Sequence, residues 1–284
     1  MMSAPSGKVR RIVLFGHPVA HSLSAVFQNA AIAAAGIAAR YEAVDVAPGS
    51  FAAVFAGMRD TDGAGNVTVP HKAAAFAACD ARTAVAERVG AVNTFWVEAG
   101  RIIGDNTDVI GVRSAVDALG DAGLHGARLA LLGSGGAAAA VLAAVGDEVG
   151  SVCVWSRSVA RGEALRARFA GPSVQVTDDI EAACRGADVV INATPLGLTG
   201  DALPIAPERL AGSARILDLA YRRVGTTPWV TACRTAGLRA EGGLTMLVAQ
   251  GAAAFRRWFG TAPNLEVMWD ALRRVREDAT SGAP

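Results

Sequence analysis

The sequence predicts an α/β protein of two domains, each a sheet flanked by helices. Three observations carry this. The chain has 284 residues, and domains of ~150 residues make that about two. Strand-like runs alternate with helix-like runs along most of it, the pattern of sheets whose strands run mainly parallel. The alternation falls into two series that meet near residues 105–125.

In the first series, 9–15 reads as a strand and 26–35 as a helix stopped by Gly36. Residues 41–46 form a strand, and 51–58 a short helix after Pro48. A strand at 66–69 is ended by Pro70, and helices follow at 72–78 and 83–89. Residues 92–97 and 101–104 pair as a hairpin around Ala99-Gly100. A helix over 109–122, closed by Gly123, leads out. The second series places strands at 128–132, 152–155, 174–176, 189–193 and 215–219, with helices at 137–145, 160–169 and 179–185. The last helices, 244–259 and 265–276, have no strand partner and must cover one of the two domains.

Composition narrows the classes. Lys and Arg total 27 against 26 Asp and Glu, a net charge of +1. No basic stripe or acidic tail argues for nucleic acid or a charged membrane. A hydrophobic fraction of 52% with 19% charged residues excludes a disordered chain. Glycine, at 32 residues, exceeds the usual ~7% without any period, so collagen is excluded. Residues 129–146 carry no charge and imitate a membrane span, but Gly133-Ser134-Gly135-Gly136 interrupts them. A strand, a turn and a buried helix fit better. Residues 1–11 are polar and lack the apolar stretch of a signal peptide. Cys79, Cys153, Cys184 and Cys233 are far apart and form no ligand cluster with the four histidines, which argues against disulfides and zinc. The expectation is a cytoplasmic protein with reduced thiols and no metal.

The glycine turn carries chemistry. Gly133, Gly135 and Ala138 satisfy G-x-G-x-x-A between a strand and a helix. The first permits a tight turn, the second leaves room for a pyrophosphate, and the third lets the helix lie close on the sheet. The helix start then offers free N–H groups and partial positive charge to phosphate. A plain strand-turn-helix could show the same pattern; the strand before and the helix after favour dinucleotide binding. NAD sites usually place an Asp or Glu ~20 residues on, gripping the ribose hydroxyl. Here Ser156-Arg157-Ser158 follows Val154-Trp155, with Arg161 one turn later. Guanidinium and hydroxyl groups suit a 2′-phosphate that a carboxylate would repel, so NADP is predicted. Two solvated arginines at a helix start would look alike, but these stand where the cofactor is chosen. Trp155 reads as core.

Five polar clusters interrupt apolar runs. His21-Ser22-Leu23-Ser24 precedes a helix and could cap it or bind a carboxylate. Residues 66–72 put Thr68 and Lys72 at a strand's carboxyl end, where open α/β sheets bind ligands. The others are 90–94 with Asn93, 104–108 with Asp108, and 243–250, where Gln250 sits in an apolar helix and needs partners. Each alone has a bland reading as a cap or solvated surface.

Together, in order and at their spacing from Gly16-His17-Pro18 to Gln250, these motifs closely resemble the shikimate dehydrogenase family; Asn192-Ala193-Thr194-Pro195-Leu196-Gly197 adds to the match. The resemblance implies reversible, NADPH-dependent reduction of 3-dehydroshikimate to shikimate in aromatic amino acid and chorismate biosynthesis. It implies a substrate domain over 1–108, a Rossmann-like NADP domain over 109–243, and helices at 244–284 returning to the first. Ser22, Ser24 and Tyr221 would meet the substrate carboxylate. Thr68, Asn93, Asp108 and Gln250 would meet its ring hydroxyls. Lys72 and Asp108 would be the catalytic pair. Gly133, Ser134, Gly135, Gly136 and Ala137, then Ser156, Arg157, Ser158 and Arg161, then Asn192, Ala193, Thr194, Pro195, Leu219, Gly243 and Met246 would line the cofactor.

The chemistry agrees. Oxidising a secondary alcohol removes a hydride and a proton together, and a positioned base must take the proton. A free lysine titrates near ~10.4; burial would favour its neutral form and a nearby Asp108 its charged form. The sequence also departs from the family. Ala25 stands where Pro is usual after the second serine, Ser134 where Ala is common, and Ser156 where Asn is commoner before the arginine. The shorter Ser156 would contact the adenine ribose less well. A quinate/shikimate or aminoshikimate dehydrogenase would reuse nearly all these residues. A non-catalytic ligand-binding regulator on this fold would lack the Lys or the Asp; both are present. Monomers and homodimers are both known in the family.

Overall fold

The computed structural model describes residues 10–120, 123–169 and 173–281. The polar start of the chain, the expected strand start at Val9 and the expected helix end at Ala122 lie outside them. The chain divides into two compact units, Met1–Thr107 with Gln250–Pro284, and Asp108–Ala249. The sequence reading put the second boundary after residue 243. It falls instead inside a helix, Leu244–Phe259, because a continuous helix carries no composition break to mark it.

The first unit holds β1 (Arg10–Gly16), α1 (Ser24–Ala34), β2 (Ala39–Asp45), α2 (Pro48–Ala56), β3 (Ala64–Val67), α3 (Lys72–Ala78), β4 (Ala81–Arg82), α4 (Ala84–Val89), β5 (Thr94–Glu98) and β6 (Arg101–Asp105). The sheet order is β2-β1-β3-β5-β6-β4. Its β1–β2, β1–β3 and β4–β6 ladders are parallel, whereas β3–β5 and β5–β6 are antiparallel. The hairpin explains the mixture: Ala99 and Gly100 both take positive φ, +49° and +71°, the two-residue turn that joins twisted antiparallel strands. Phe15, Phe51, Phe55 and Phe95 fill the core beneath. Phe15 stacks on Phe95 at 6.1 Å.

The strandless C-terminal helices pack here. In the second half of α10 (Leu244–Phe259), the Trp258 indole donates to Thr94 Oγ1 at 3.1 Å and its ring lies 5.9 Å from Tyr41. α11 (Leu265–Ser281) packs along α1. Arg257 Nε donates to Asp105 Oδ2 at 2.7 Å. Asp105 is 2% exposed, and its other oxygen accepts from the Thr83 hydroxyl and the Asn106 amide. Removing the cation strands a buried carboxylate. Arg257→Ala is therefore expected to lower stability by about 1–3 kcal/mol, read as a shift in urea midpoint, with Arg257→Lys recovering part.

The second unit holds α5 (Asp108–Asp117), β7 (Arg128–Leu132), α6 (Gly136–Val145), β8 (Ser151–Trp155), α7 (Val159–Arg168), β9 (Ser173–Thr177), α8 (Ile180–Cys184), β10 (Val189–Asn192), β11 (Arg215–Asp218), α9 (Pro228–Thr235) and β12 (Arg239–Gly242). Its strands run in the order β12-β11-β10-β7-β8-β9, every ladder parallel. This is the doubly wound arrangement, and the order reverses between β7 and β10, where such sheets bind ligands beyond the carboxyl ends. Two elements stand where the sequence reading placed none. Helix α9 starts at Pro228, capped by Thr227, and buries Trp229, Val230 and Cys233. Strand β12 is a sheet edge whose only buried side chain is Ala240, too little pattern to read. Trp155 packs against this core, as read.

All four cysteines are free. Burial pushes the thiols of Cys79, Cys184 and Cys233 up to about 12, and raises that of Cys153. Such thiols are inert at neutral pH. No helix among the described residues is long and apolar enough to cross a membrane.

Candidate active site

In the first unit the site builds at the carboxyl end of β3. Beyond the strand, the Thr68 amide donates to the Phe15 carbonyl at 2.8 Å, and the Thr68 carbonyl accepts from the His71 amide at 2.9 Å. This turn delivers Lys72 to the first position of α3. Its carbonyl is held by the Val92 amide at 3.0 Å. His71 is 2% exposed. Its ring stacks on Phe51 with centroids 4.4 Å apart and planes 8° apart, and Nε2 lies 2.6 Å from the Val46 carbonyl. A carbonyl only accepts, so Nε2 carries the hydrogen.

Asn93 is the hub. Its Oδ1 accepts from the Thr107 amide at 2.7 Å, and its Nδ2 donates to Gln250 Oε1 at 3.3 Å. One partner of buried Gln250 is thus Asn93, 157 residues away. Asn66 Nδ2 donates to the Asn93 carbonyl at 3.0 Å, and the Tyr41 hydroxyl to Asn66 Oδ1 at 2.8 Å. Thr107 and Asn66 lie within the polar strings 104–108 and 66–72, but sequence alone assigns them no role, because their partners are distant along the chain. At the head of α1, Ser22 Oγ accepts from the Ser24 amide at 3.2 Å and keeps its proton to donate. The N-cap position of α1 is Leu23, which has no side-chain cap bond, so the one serine bond at the helix start is that of Ser22 to the first helical amide. The helix starts at Ser24 without a proline at 25. Asp108, 3% exposed, opens the second unit as the first residue of α5.

In the second unit, Gly133 follows β7 with φ +117°, and a Cβ there would lie 3.1 Å from the Ala193 carbonyl. A Cβ on Gly135 would meet nothing within 4 Å. α6 begins at Gly136 with no side-chain cap, and its own ladder starts at Ala139, which bonds to the Gly135 carbonyl. The amides of Gly136, Ala137 and Ala138 therefore have no partner in the helix. Ala138 is fully buried, as its role against the sheet requires. Just beyond β8, no carboxylate stands at 156–162; the next, Glu163, pairs with Arg166. Arg157, Ser158 and Arg161 are exposed, and Ser158 Oγ caps α7 by accepting from the Arg161 amide at 3.4 Å. Ser156 is 4% exposed, its hydroxyl bonded within the protein.

The loop after β10 is held by buried polar groups. Asn192 is fully buried; Oδ1 accepts from the amide and hydroxyl of Thr194, and Nδ2 donates to Asp218 Oδ1 at 2.8 Å and the Leu196 carbonyl at 3.2 Å. Both ends of its amide are thus occupied, while Thr194 is half-buried and Pro195 exposed. Asp218 Oδ2 accepts from Thr227 Oγ1 at 2.6 Å. Leu219 donates to the Asn192 carbonyl at 2.9 Å, and Tyr221 follows, half-buried. Gly243 leaves no room: a Cβ would stand 2.3 Å from the Leu219 carbonyl oxygen. Met246 is buried one turn on. Asp218 had a legible signal, an acid ending a buried apolar strand.

Burial raises the Asp218 carboxyl above its ordinary 3.8, against the lowering by Thr227, Asn192 and the Ala220 amide. In the window from 3.8 up to the folded value, the folded chain holds a proton that the unfolded chain has released. Stability therefore falls as pH rises through that window. In Asp218→Asn, Oδ1 still accepts from Asn192 and the new amide donates to the Thr227 oxygen. Urea midpoints followed against pH are expected to lose this decline in the variant.

A family model described as the shikimate dehydrogenase substrate binding domain matches residues 14–95, and the shikimate 5′-dehydrogenase C-terminal domain model matches residues 243–273. A shikimate dehydrogenase (NADP(+)) from Methylocella silvestris is 42% identical over 274 residues, spanning 94% of this chain and 95% of that protein. The chain belongs to the shikimate dehydrogenase family. Among solved structures, a shikimate dehydrogenase in complex with NADP+ is 32% identical with a TM-score of 0.85, over 96% of this chain and 98% of that one. The shikimate 5-dehydrogenase from Thermus thermophilus, in complex with NADP(H) and shikimate, is 35% identical with a TM-score of 0.82, over 94% of this chain and 99% of that one. The glycine turn, the arginine-bearing end of β8 and the Asn93–Gln250 pair are thus features of a shikimate dehydrogenase family member.

Proposed function

We propose that this chain catalyses the reversible reduction of 3-dehydroshikimate to shikimate by NADPH, a step of aromatic amino acid and chorismate biosynthesis. The observation that carries the reading is the likeness, over nearly the full length of both chains, to the enzyme crystallised with NADP(H) and shikimate. The residues suit the cofactor. The open space at Gly135 and the first amides of α6 suit a pyrophosphate, and the exposed Arg157 and Arg161, with no carboxylate at 156–162, suit a 2′-phosphate. Thr194 and Pro195 border the nicotinamide end with Leu219 and Met246, while Asn192 shapes that loop.

When bound, NADP exchanges a hydride with the substrate's carbinol carbon. The chain's own residues do the rest. Ser22, Ser24 and Tyr221 hold the carboxylate, and Thr68, Asn93 and Gln250 the ring hydroxyls. In the reduction, Lys72 Nζ gives its proton to the oxygen on which charge develops, and its own charge stabilises that oxygen beforehand. In the oxidation it takes the proton back. Asp108 orients the ammonium and accepts from a ring hydroxyl. The enzyme works in the cytoplasm, as a monomer or a homodimer.

Steady-state kinetics with shikimate and quinate, each with NADP+ and NAD+, test the reading. The highest kcat/KM is expected for shikimate with NADP+. A preference for quinate with NAD+ would overturn it.

A further inference from the structure

Ser134 and Ser156 lie in different loops of the second unit. Ser134 is the second residue of the glycine turn after β7, and Ser156 follows β8, next to Arg157. Their hydroxyl oxygens are 2.8 Å apart. A hydroxyl has one proton, which settles the direction of that bond. Ser156 Oγ lies 2.9 Å from the Ser158 carbonyl, which can only accept, so the Ser156 proton goes there. Ser156 Oγ in turn accepts from the Ser158 amide at 3.3 Å. The proton between the two serines therefore belongs to Ser134. Ser134 then presents lone pairs, not a proton, to anything approaching the turn, and an anionic pyrophosphate oxygen gains nothing from them. Ser156, 4% exposed and with its hydrogen-bonding capacity filled, reaches no ligand.

We propose that Ser134 and Ser156 set the preference for NADP over NAD without touching either cofactor. They are positioning residues. The Ser134–Ser156 bond ties the turn that cradles the pyrophosphate to the loop that carries Arg157, and through Ser158, the cap of α7, to Arg161. The spacing between cradle and guanidinium groups is thereby fixed to that between the pyrophosphate and the 2′-phosphate of one molecule. NAD, which lacks the second phosphate, is indifferent to that spacing. This rests on the proposed NADP reading. It also replaces the expected contact of Ser156 with the adenine ribose: two departures from the family pattern, Ser134 and Ser156, form one bonded pair.

Dissociation constants for NADP+ and NAD+, measured by quenching of tryptophan fluorescence on the intact chain, test it. Ser134→Ala is expected to weaken NADP+ about threefold to tenfold, the worth of one hydrogen bond, and NAD+ less than about twofold. Ser156→Ala, which also deletes the two Ser158 bonds, should weaken NADP+ at least as much, and the double variant should be no worse than Ser156→Ala alone, because the Ser134–Ser156 bond is already gone in it. Ser134→Thr, which keeps the donor, should restore NADP+ binding. Equal losses toward both dinucleotides would mean that Ser134 is a pyrophosphate ligand and would overturn the proposal, as would additive losses in the double variant or unchanged NADP+ binding. Arg157→Ala reports on the underlying reading alone. If it discriminates while Ser134→Ala does not, only the positioning role fails; if it does not discriminate, the NADP reading fails and the positioning role with it.

Discussion

Lys72→Ala is expected to lower kcat by about 100-fold or more in both directions while changing shikimate affinity little. In the proposed reading, binding rests on Ser22, Ser24, Tyr221, Thr68, Asn93 and Gln250, whereas the proton passes through the Lys72 ammonium. The chain presents this group from a fixed base: the turn at Thr68, the His71 contacts and the Val92 amide hold the Lys72 backbone before any ligand arrives. Truncation removes the proton donor and leaves the base in place. A small primary amine added to the assay should therefore recover part of the turnover in the variant and none in the wild type. Single-turnover reduction of 3-dehydroshikimate, with shikimate binding followed by calorimetry, separates the two steps. Turnover within about tenfold of wild type would give the proton transfer to another group.

Arg157→Ala is expected to weaken NADP+ by about 10- to 100-fold and NAD+ by less than about threefold, since a hydrogen-bonded guanidinium–phosphate pair contributes on the order of 1.5–3 kcal/mol. Because Arg157 is exposed, salt screens its attraction for the phosphate. NADP+ affinity of the wild type should fall with ionic strength more steeply than NAD+ affinity, and the variant should lose that difference. Equal losses for the two dinucleotides would remove Arg157 from the reading of the 2′-phosphate.

Much of the fold was legible because its periods are strong. The bounds of α3, β7 and α10 coincide with the sequence reading, each being an apolar run bracketed by a clear start or stop. What escaped was either weak or non-local. Helix α9 carried a Thr-Pro start signal at 227–228 that went unused. The mixed first sheet follows from a hairpin that was read, but which strand the hairpin would pair with was not. At the site, residue types and spacing pointed to the chemistry, and partners did not. Nothing near Asn93 in sequence announces Gln250, and nothing near Asn192 announces Asp218. Ser156 shows the limit most clearly. Its place beside Arg157 suggested a ligand, and only three-dimensional proximity joins it to Ser134.

His71 performs two tasks that few side chains combine: its face lies on Phe51 and its edge donates to Val46. A phenyl group could do the first and an amide the second, but neither could do both. Tolerance to replacement at this position should accordingly be as narrow as at Lys72, the proposed acid/base beside it, although the imidazole is buried against Phe51 and Val46. A saturation library selected for growth through this step would display two adjacent intolerant codons, one guarded by chemistry and the other by geometry.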